Sequence, residues 1–517
     1  MRPAANLILM KPALRFLCLG LLGGALRAEV TLAPLFTNHA VLQREKPIPV
    51  WGRAAPGEHI VVSFHGQTLG TTTSSDGRWM VFLEASAASN EGTDLVVAGN
   101  NTVTVHDVVV GEVWLCSGQS NMEFTVKQAD NAAAEIASAR FPLIRHVQIA
   151  RQVAETPADT VATSGWLQAA PETVGNFTAV GYFFARDIFK KLNVPVGVVH
   201  SSWSGSPVES WLSPATARRP DFAFMHERWA QNLAEFPARK SAFDFASVAW
   251  NQRESVAKAK SDVAYKTFLK DNPKPRAPRG PGDSWTPTGL FNGMINPLLP
   301  YALRGALWYQ GESNADHASE YHALFSAMIT GWRSHFGQGD FPFYWVSLAN
   351  YKAPEDKTNA TYAFLREAQT QTLALPQTGQ ALAIDLGNPD NVHPTNKQDV
   401  GRRLALLAKN RLYGAISDDT GPTFTGATRE GSALRIKFAH ASSGLIAHDK
   451  PVQSLEVAGP NKVFRPASAK IDRDALLVSA PDVKEPVAVR YAWKNSPEAN
   501  LYNGAGLPAV PFRSDNW

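Results

Sequence analysis

A chain of 517 residues is too long for one ordinary domain and predicts two to four. Its composition, 44% hydrophobic and 19% charged with 14 Trp and 26 Phe, supplies a sizeable core and excludes large-scale disorder. The net charge of +4 is small for this length and the basic residues are scattered, so charge points to neither nucleic acid nor a membrane surface.

Taken in chain order, the first element is a candidate export signal over residues 1–28. Arg2, Lys11 and Arg15 precede the apolar run from Phe16 to Leu22, and small residues follow to Ala25 or Ala28. The run is shorter than the roughly 20 apolar residues a membrane span requires, so removal after Ala28 or Ala25 is the expectation. The working chain is then expected in the periplasm or outside the cell, without stable membrane association. Only Cys18 and Cys116 are present, which excludes a disulfide scaffold.

Residues 29–110 carry short alternating runs, Ile60–Phe64, Trp79–Leu83 and Thr102–Val105, separated by Pro56-Gly57, Asp76-Gly77 and Gly99-Asn100. This spacing predicts a small antiparallel β domain. Residues 111–415 change character. Val196–Val199, Gly305–Trp308, Phe343–Val346 and Ala381–Ile384 are apolar without alternation, as in strands buried on both faces. Between them Tyr321, Leu324, Phe325, Met328, Ile329 and Trp332 step by three and four, one face of a helix ending near Gly337. Strand alternating with helix predicts an α/β fold with an open, mostly parallel sheet covered on both sides. Residues 214–285, rich in charge and proline, predict an insertion of helices and loops. From 416 to 517, runs such as Leu434–Phe438 and Val487–Trp493 predict a second β domain.

Parallel strands deliver their carboxyl ends to one edge, where open α/β sheets bind ligands. The run Val113–Cys116 exits into Ser117-Gly118-Gln119-Ser120-Asn121-Met122. Gly118 permits a tight turn and Ser120 follows it, as a nucleophile or as a simple helix cap. The run ending at Val199 exits toward Trp203-Ser204-Gly205, and the next exits into Gln310-Gly311-Glu312-Ser313-Asn314, whose amides Gln310 and Asn314 suit an oxyanion. The last exits into a loop holding Asp390 and His393, before a capping pattern at Thr395 and Gln398 and a helix running toward Gly414. Serine, histidine and carboxylate on one edge predict a triad of Ser120, His393 and Asp390. Cys116, inside an apolar run, is a poor nucleophile. His317 and His322 lack metal-ligand spacing, so no metal is expected.

These blocks resemble those of the sialate O-acetylesterase family, within the SGNH-type hydrolases. They are Ser117–Glu123, Trp203–Trp211, Trp308–Asn314 and Asp390–Pro394, with Arg490–Trp493, Asn500–Asn503 and Pro511–Arg513 in a C-terminal β region. The resemblance covers nearly the whole chain beyond residue 28. It implies an SGNH-like three-layer domain, flanked by β domains, with Ser120 as nucleophile, His393 as base and Asp390 orienting it. Ser120 and Gly205 are implied as oxyanion donors with Gln310 or Asn314, Gln310 being favoured; Ser204 stands where the family usually has glycine. The expected partner is an O-acetylated sugar, with no cofactor. Acetylated xylan or another plant polysaccharide is the alternative substrate, and a non-catalytic carbohydrate-binding protein the more remote one. Trp203, Trp211 and Trp308 are candidate sugar platforms.

Overall fold

The structure is a computed structural model and describes Met1 and residues 29–517. The candidate export signal and Cys18 lie outside the described residues.

The central sheet is ordered Thr163–Ala169, Phe141–Ile149, Val196–Ser202, Thr102–Gly118, Gly305–Tyr309, Phe343–Val346, Thr378–Ala381. The first pair is antiparallel and the other neighbours run parallel. The last two strands, with Gly305–Tyr309 and Val196–Ser202, bury every residue, which is why their sequence shows no alternation. Successive side chains still point to opposite faces. Val113 and Leu115 join one apolar core, Trp114 and Cys116 the other.

Helices cover both faces. Ala179–Leu192 and Lys397–Arg411 pack on the Trp114 side, and Ala318–Phe336 with Thr361–Gln371 on the Leu115 side. Ala318–Phe336 ends against Gly337 in the left-handed conformation, as the periodicity predicts. The last helix departs from expectation. Its cap is Asn396, whose side chain accepts from the Asp399 amide, rather than Thr395, whose carbonyl is taken by the Asp130 and Lys397 amides. The strand expected at Ala381–Ile384 is Thr378–Ala381; Leu382–Ile384 stay buried but leave the ladder.

The Thr102–Gly118 strand has 17 residues and belongs to two pairings. Its first part pairs with Ser89–Ala98 and Val41–Gln43, its second with the central sheet. Residues 110 and 111, the expected division, therefore fall within one continuous strand. The insertion is a 38-residue helix, Ala223–Lys260, followed by Asp262–Asp271; the longer one buries only Met225 and Trp250. After Lys397–Arg411 come two four-stranded antiparallel sheets around their own apolar core, which includes Ile436, Val457, Leu476 and Val489.

Candidate active site

Gly118 ends the central strand at φ +134°, where a Cβ would collide with the Tyr309 backbone. The turn it allows is held by both neighbouring strands. Trp203 donates its amide to the Gly118 carbonyl at 3.0 Å, and Gln119 donates to Tyr309 at 2.9 Å. The Gln119 side-chain oxygen accepts from the Gly311 and Ser313 amides. Ser120 then begins a single helical turn, partly exposed. Three of the predicted exits thus meet around the serine.

The fourth brings His393. Its Nε2 lies 2.7 Å from Ser120 Oγ, across 273 residues of sequence. Asn391 Oδ1 accepts the His393 amide at 2.9 Å, and the ring lies beside Phe124. Burial, and secondarily the charge of Lys397, holds the imidazole below its ordinary value of 6.5, favouring the neutral form a base requires.

Asp390 is not on the ring. Its Oδ1 accepts from Lys352 Nζ at 2.7 Å in an exposed ion pair, and no hydrogen bond joins it to His393. Asp385, the other nearby carboxylate, is engaged bidentately at 2.7 Å by Arg403, which is buried.

Gly205, at φ +73° with open space around it, and Ser120 both have backbone N–H groups without a hydrogen-bond partner among the described residues. The two candidate amides are not equivalent. Gln310 Nε2 donates to the Ser206 carbonyl and to Asn314 Oδ1, while Tyr321 donates to its oxygen. Asn314 Nδ2 donates to Glu209 at 2.8 Å, leaving its second N–H without a partner among the described residues. The preference for Gln310 is therefore corrected: its amide builds the support, and Asn314 holds the remaining donor.

Two of the three candidate sugar platforms are also corrected. Trp211 and Trp308 are fully buried, packed edge-to-face on each other and on Trp332. Their rings are worth more in that core than against solvent. Trp203 is half-buried beside Ser204, under Arg151. A cavity of about 200 Å³ adjoins the Gly205 loop, lined by Pro207, Glu209, Arg228, Trp229, Trp285 and His317 among others; Trp285 Nε1 donates to the Gly205 carbonyl at 2.6 Å. Among the described residues no group of three or more His, Cys, Asp or Glu is placed to hold a metal ion.

The sequence did not reveal a polar cluster behind the serine. Lys397, fully buried, donates to Asn121 Oδ1 at 2.6 Å. Asn121 Nδ2 donates to Glu312 Oε1 at 2.6 Å and to the Val392 carbonyl at 3.0 Å. A signal was present, since a lysine opening a helix opposes the helix dipole and calls for a compensating reason.

Residues 110–271 and 283–409 match the family described as carbohydrate esterase, sialic acid-specific acetylesterase. The chain belongs to this family. The chain is similar to the sialate O-acetylesterase of Mus musculus, 30% identical with 93% of each chain covered, and to that of Homo sapiens, 28% identical over 93% of this chain and 91% of the other. A crystal structure described as a novel carbohydrate acetylesterase from Xanthomonas citri is 38% identical, with a TM-score of 0.79, covering 95% of this chain and all of that one. The esterase is accordingly a carboxylic ester hydrolase, and the Ser120–His393 contact lies inside the family match.

Proposed function

We propose that this esterase removes O-acetyl groups from sugars, sialic acid foremost, through a serine nucleophile in an SGNH-type domain of an exported chain. The observation that carries the reading is the 2.7 Å contact between Ser120 Oγ and His393 Nε2. In the proposed reaction His393 takes the hydroxyl proton as Ser120 attacks the acetyl carbonyl. The Ser120 and Gly205 amides and the remaining N–H of Asn314 receive the oxyanion. His393 then protonates the departing sugar oxygen, and water repeats the cycle to release acetate. Asp390 is the proposed third member, orienting the imidazole through Nδ1.

Sialic acid is favoured because the curated relatives named above are sialate O-acetylesterases. The test measures acetate release from O-acetylated sialic acid and acetylated xylo-oligosaccharides, by wild type and Ser120→Ala. Wild type should favour the sialate, and Ser120→Ala should lose at least about a thousandfold on every substrate. A fluorophosphonate should label Ser120 alone. Full activity in Ser120→Ala would reject the mechanism, and a preference for xylo-oligosaccharides would reject the substrate.

A further inference from the structure

The buried cluster behind the nucleophile has no part in the reaction above, yet it touches both reacting residues through their chain neighbours. Asn121 follows Ser120, and Val392 precedes His393. The bond from Asn121 Nδ2 to the Val392 carbonyl is therefore a direct tie between the nucleophile turn and the base loop. Asn121 is 1% exposed and is fixed from two further sides, by Lys397 on its oxygen and Glu312 on its nitrogen. Its amide cannot rotate without breaking all three contacts. Lys397 lies between the rings of Phe124 and Tyr309, 4.8 and 5.2 Å from their centroids, and Phe124 itself lies beside His393.

We propose that Asn121 is a positioning residue that sets the Ser120–His393 distance, and that Lys397 anchors it and places its amino group behind His393. The proposal rests on the serine-esterase reading above. It also supplies what the exposed Asp390 does not in this structure, a buried constraint on the base. Lys397 is itself held down to about 7 by burial, which Glu312 partly opposes. Below that value it is charged, and charge there makes protonation of His393 harder.

Other charges face this region. Glu123, on the nucleophile turn, is paired with Arg151 and accepts the Ser204 amide. Glu312, on the third exit, is half-buried with one oxygen unpartnered among the described residues, and burial raises it from its ordinary value. Asp390, on the base loop, is paired with Lys352. Beside these, Lys397 is the charge that lowers His393, second to burial itself.

The test compares Asn121→Ala, Lys397→Met and Lys397→Gln with wild type, using acetyl-ester turnover across pH and the rate of fluorophosphonate labelling of Ser120. Asn121→Ala should lower kcat at least tenfold with KM nearly unchanged, and slow labelling in proportion. Lys397→Met should do the same and move the acidic limb of kcat/KM to higher pH, because His393 rises toward its ordinary value. Lys397→Gln keeps an N–H donor for Asn121 but no charge. It should move the acidic limb alike while retaining more of kcat, and it carries the test if Lys397→Met does not fold. A folded Asn121→Ala enzyme with wild-type kcat and labelling rate would overturn the positioning role. An unmoved acidic limb in Lys397→Gln would overturn the charge role. Absence of esterase activity or labelling in wild type would instead reject the esterase reading on which both rest.

Discussion

At the scale of single residues, the question is how a carboxylate bonded to Lys352 could serve His393. The Asp390–Lys352 pair is exposed on both sides, with side chains 78% and 61% accessible. Such pairs contribute less than about 1 kcal/mol, so releasing Asp390 toward the ring is cheap. Catalytic hydrogen bonds also tighten when the reacting complex forms. Asp385 cannot substitute, because leaving Arg403 would strand a buried charge. Asp390→Asn should therefore lower kcat at least about a hundredfold, as loss of the orienting carboxylate does in serine triads. Lys352→Ala should change kcat by less than about twofold, since it removes only a surface pair. Steady-state kinetics on one acetyl ester checks both, and an active Asp390→Asn enzyme would make Asp390 a loop residue. Ser120 and His393 were legible in the sequence because strand ends and a helix start bracket them. The direction of the Asp390 side chain was not, because the two intervening residues, Asn391 and Val392, permit either partner.

Among the elements, the strands and helices of the sheet were readable where burial imposed a pattern. Phe343–Val346 occupies the predicted residues, and the Tyr321-to-Trp332 face lies in the Ala318–Phe336 helix. Trp211 and Trp308 were misread because an indole's sequence position does not say whether core or solvent lies beside it. Contacts between distant elements were equally illegible, and Arg366 is the clearest. It is 1% exposed and pairs with no carboxylate among the described residues; it donates to the carbonyls of Leu348, Ala349, Lys494 and Asn495. Burial holds it down to about 9. These four bonds join the segment after Phe343–Val346 to the C-terminal β region, beside the Arg513–Glu367 pair. Arg366→Met leaves the Leu348, Ala349 and Lys494 carbonyls without a donor, while the Asn495 carbonyl keeps the Tyr351 amide. At 1 kcal/mol or more for each group left unpaired, the loss should reach about 3 kcal/mol. Hydrogen exchange around residues 488–513 should accelerate in the variant, and unchanged protection there would refute the assignment.

For the whole molecule, export and assembly make separate predictions. If the signal reading is right, the mass of the exported chain begins at or near Glu29, and an intact Met1 in that fraction would refute it. Assembly depends on Glu112, which lies entirely buried in the long Thr102–Gly118 strand. Arg44, just after the Val41–Gln43 strand, donates to its Oε1. Arg304, just before Gly305–Tyr309, donates to Oε2 at 2.7 Å and to Oε1 at 3.1 Å. Tyr413, just after the last helix, donates to Oε2 at 2.8 Å. One carboxylate thus gathers the N-terminal strands, the central sheet and the helix layer. Glu112→Gln keeps the shape but leaves two guanidinium groups facing a neutral amide. Breaking a buried pair costs about 3 to 5 kcal/mol, and the low end applies because Glu45 also pairs with both arginines. The melting temperature should fall by roughly 3 °C. Activity should not follow, because Glu112 sits about 20 Å along the strand from the nucleophile turn. Calorimetry with kcat at 25 °C separates the two effects: an unchanged melting temperature would remove Glu112 from the assembly, and a lost kcat with stability intact would tie it to the site.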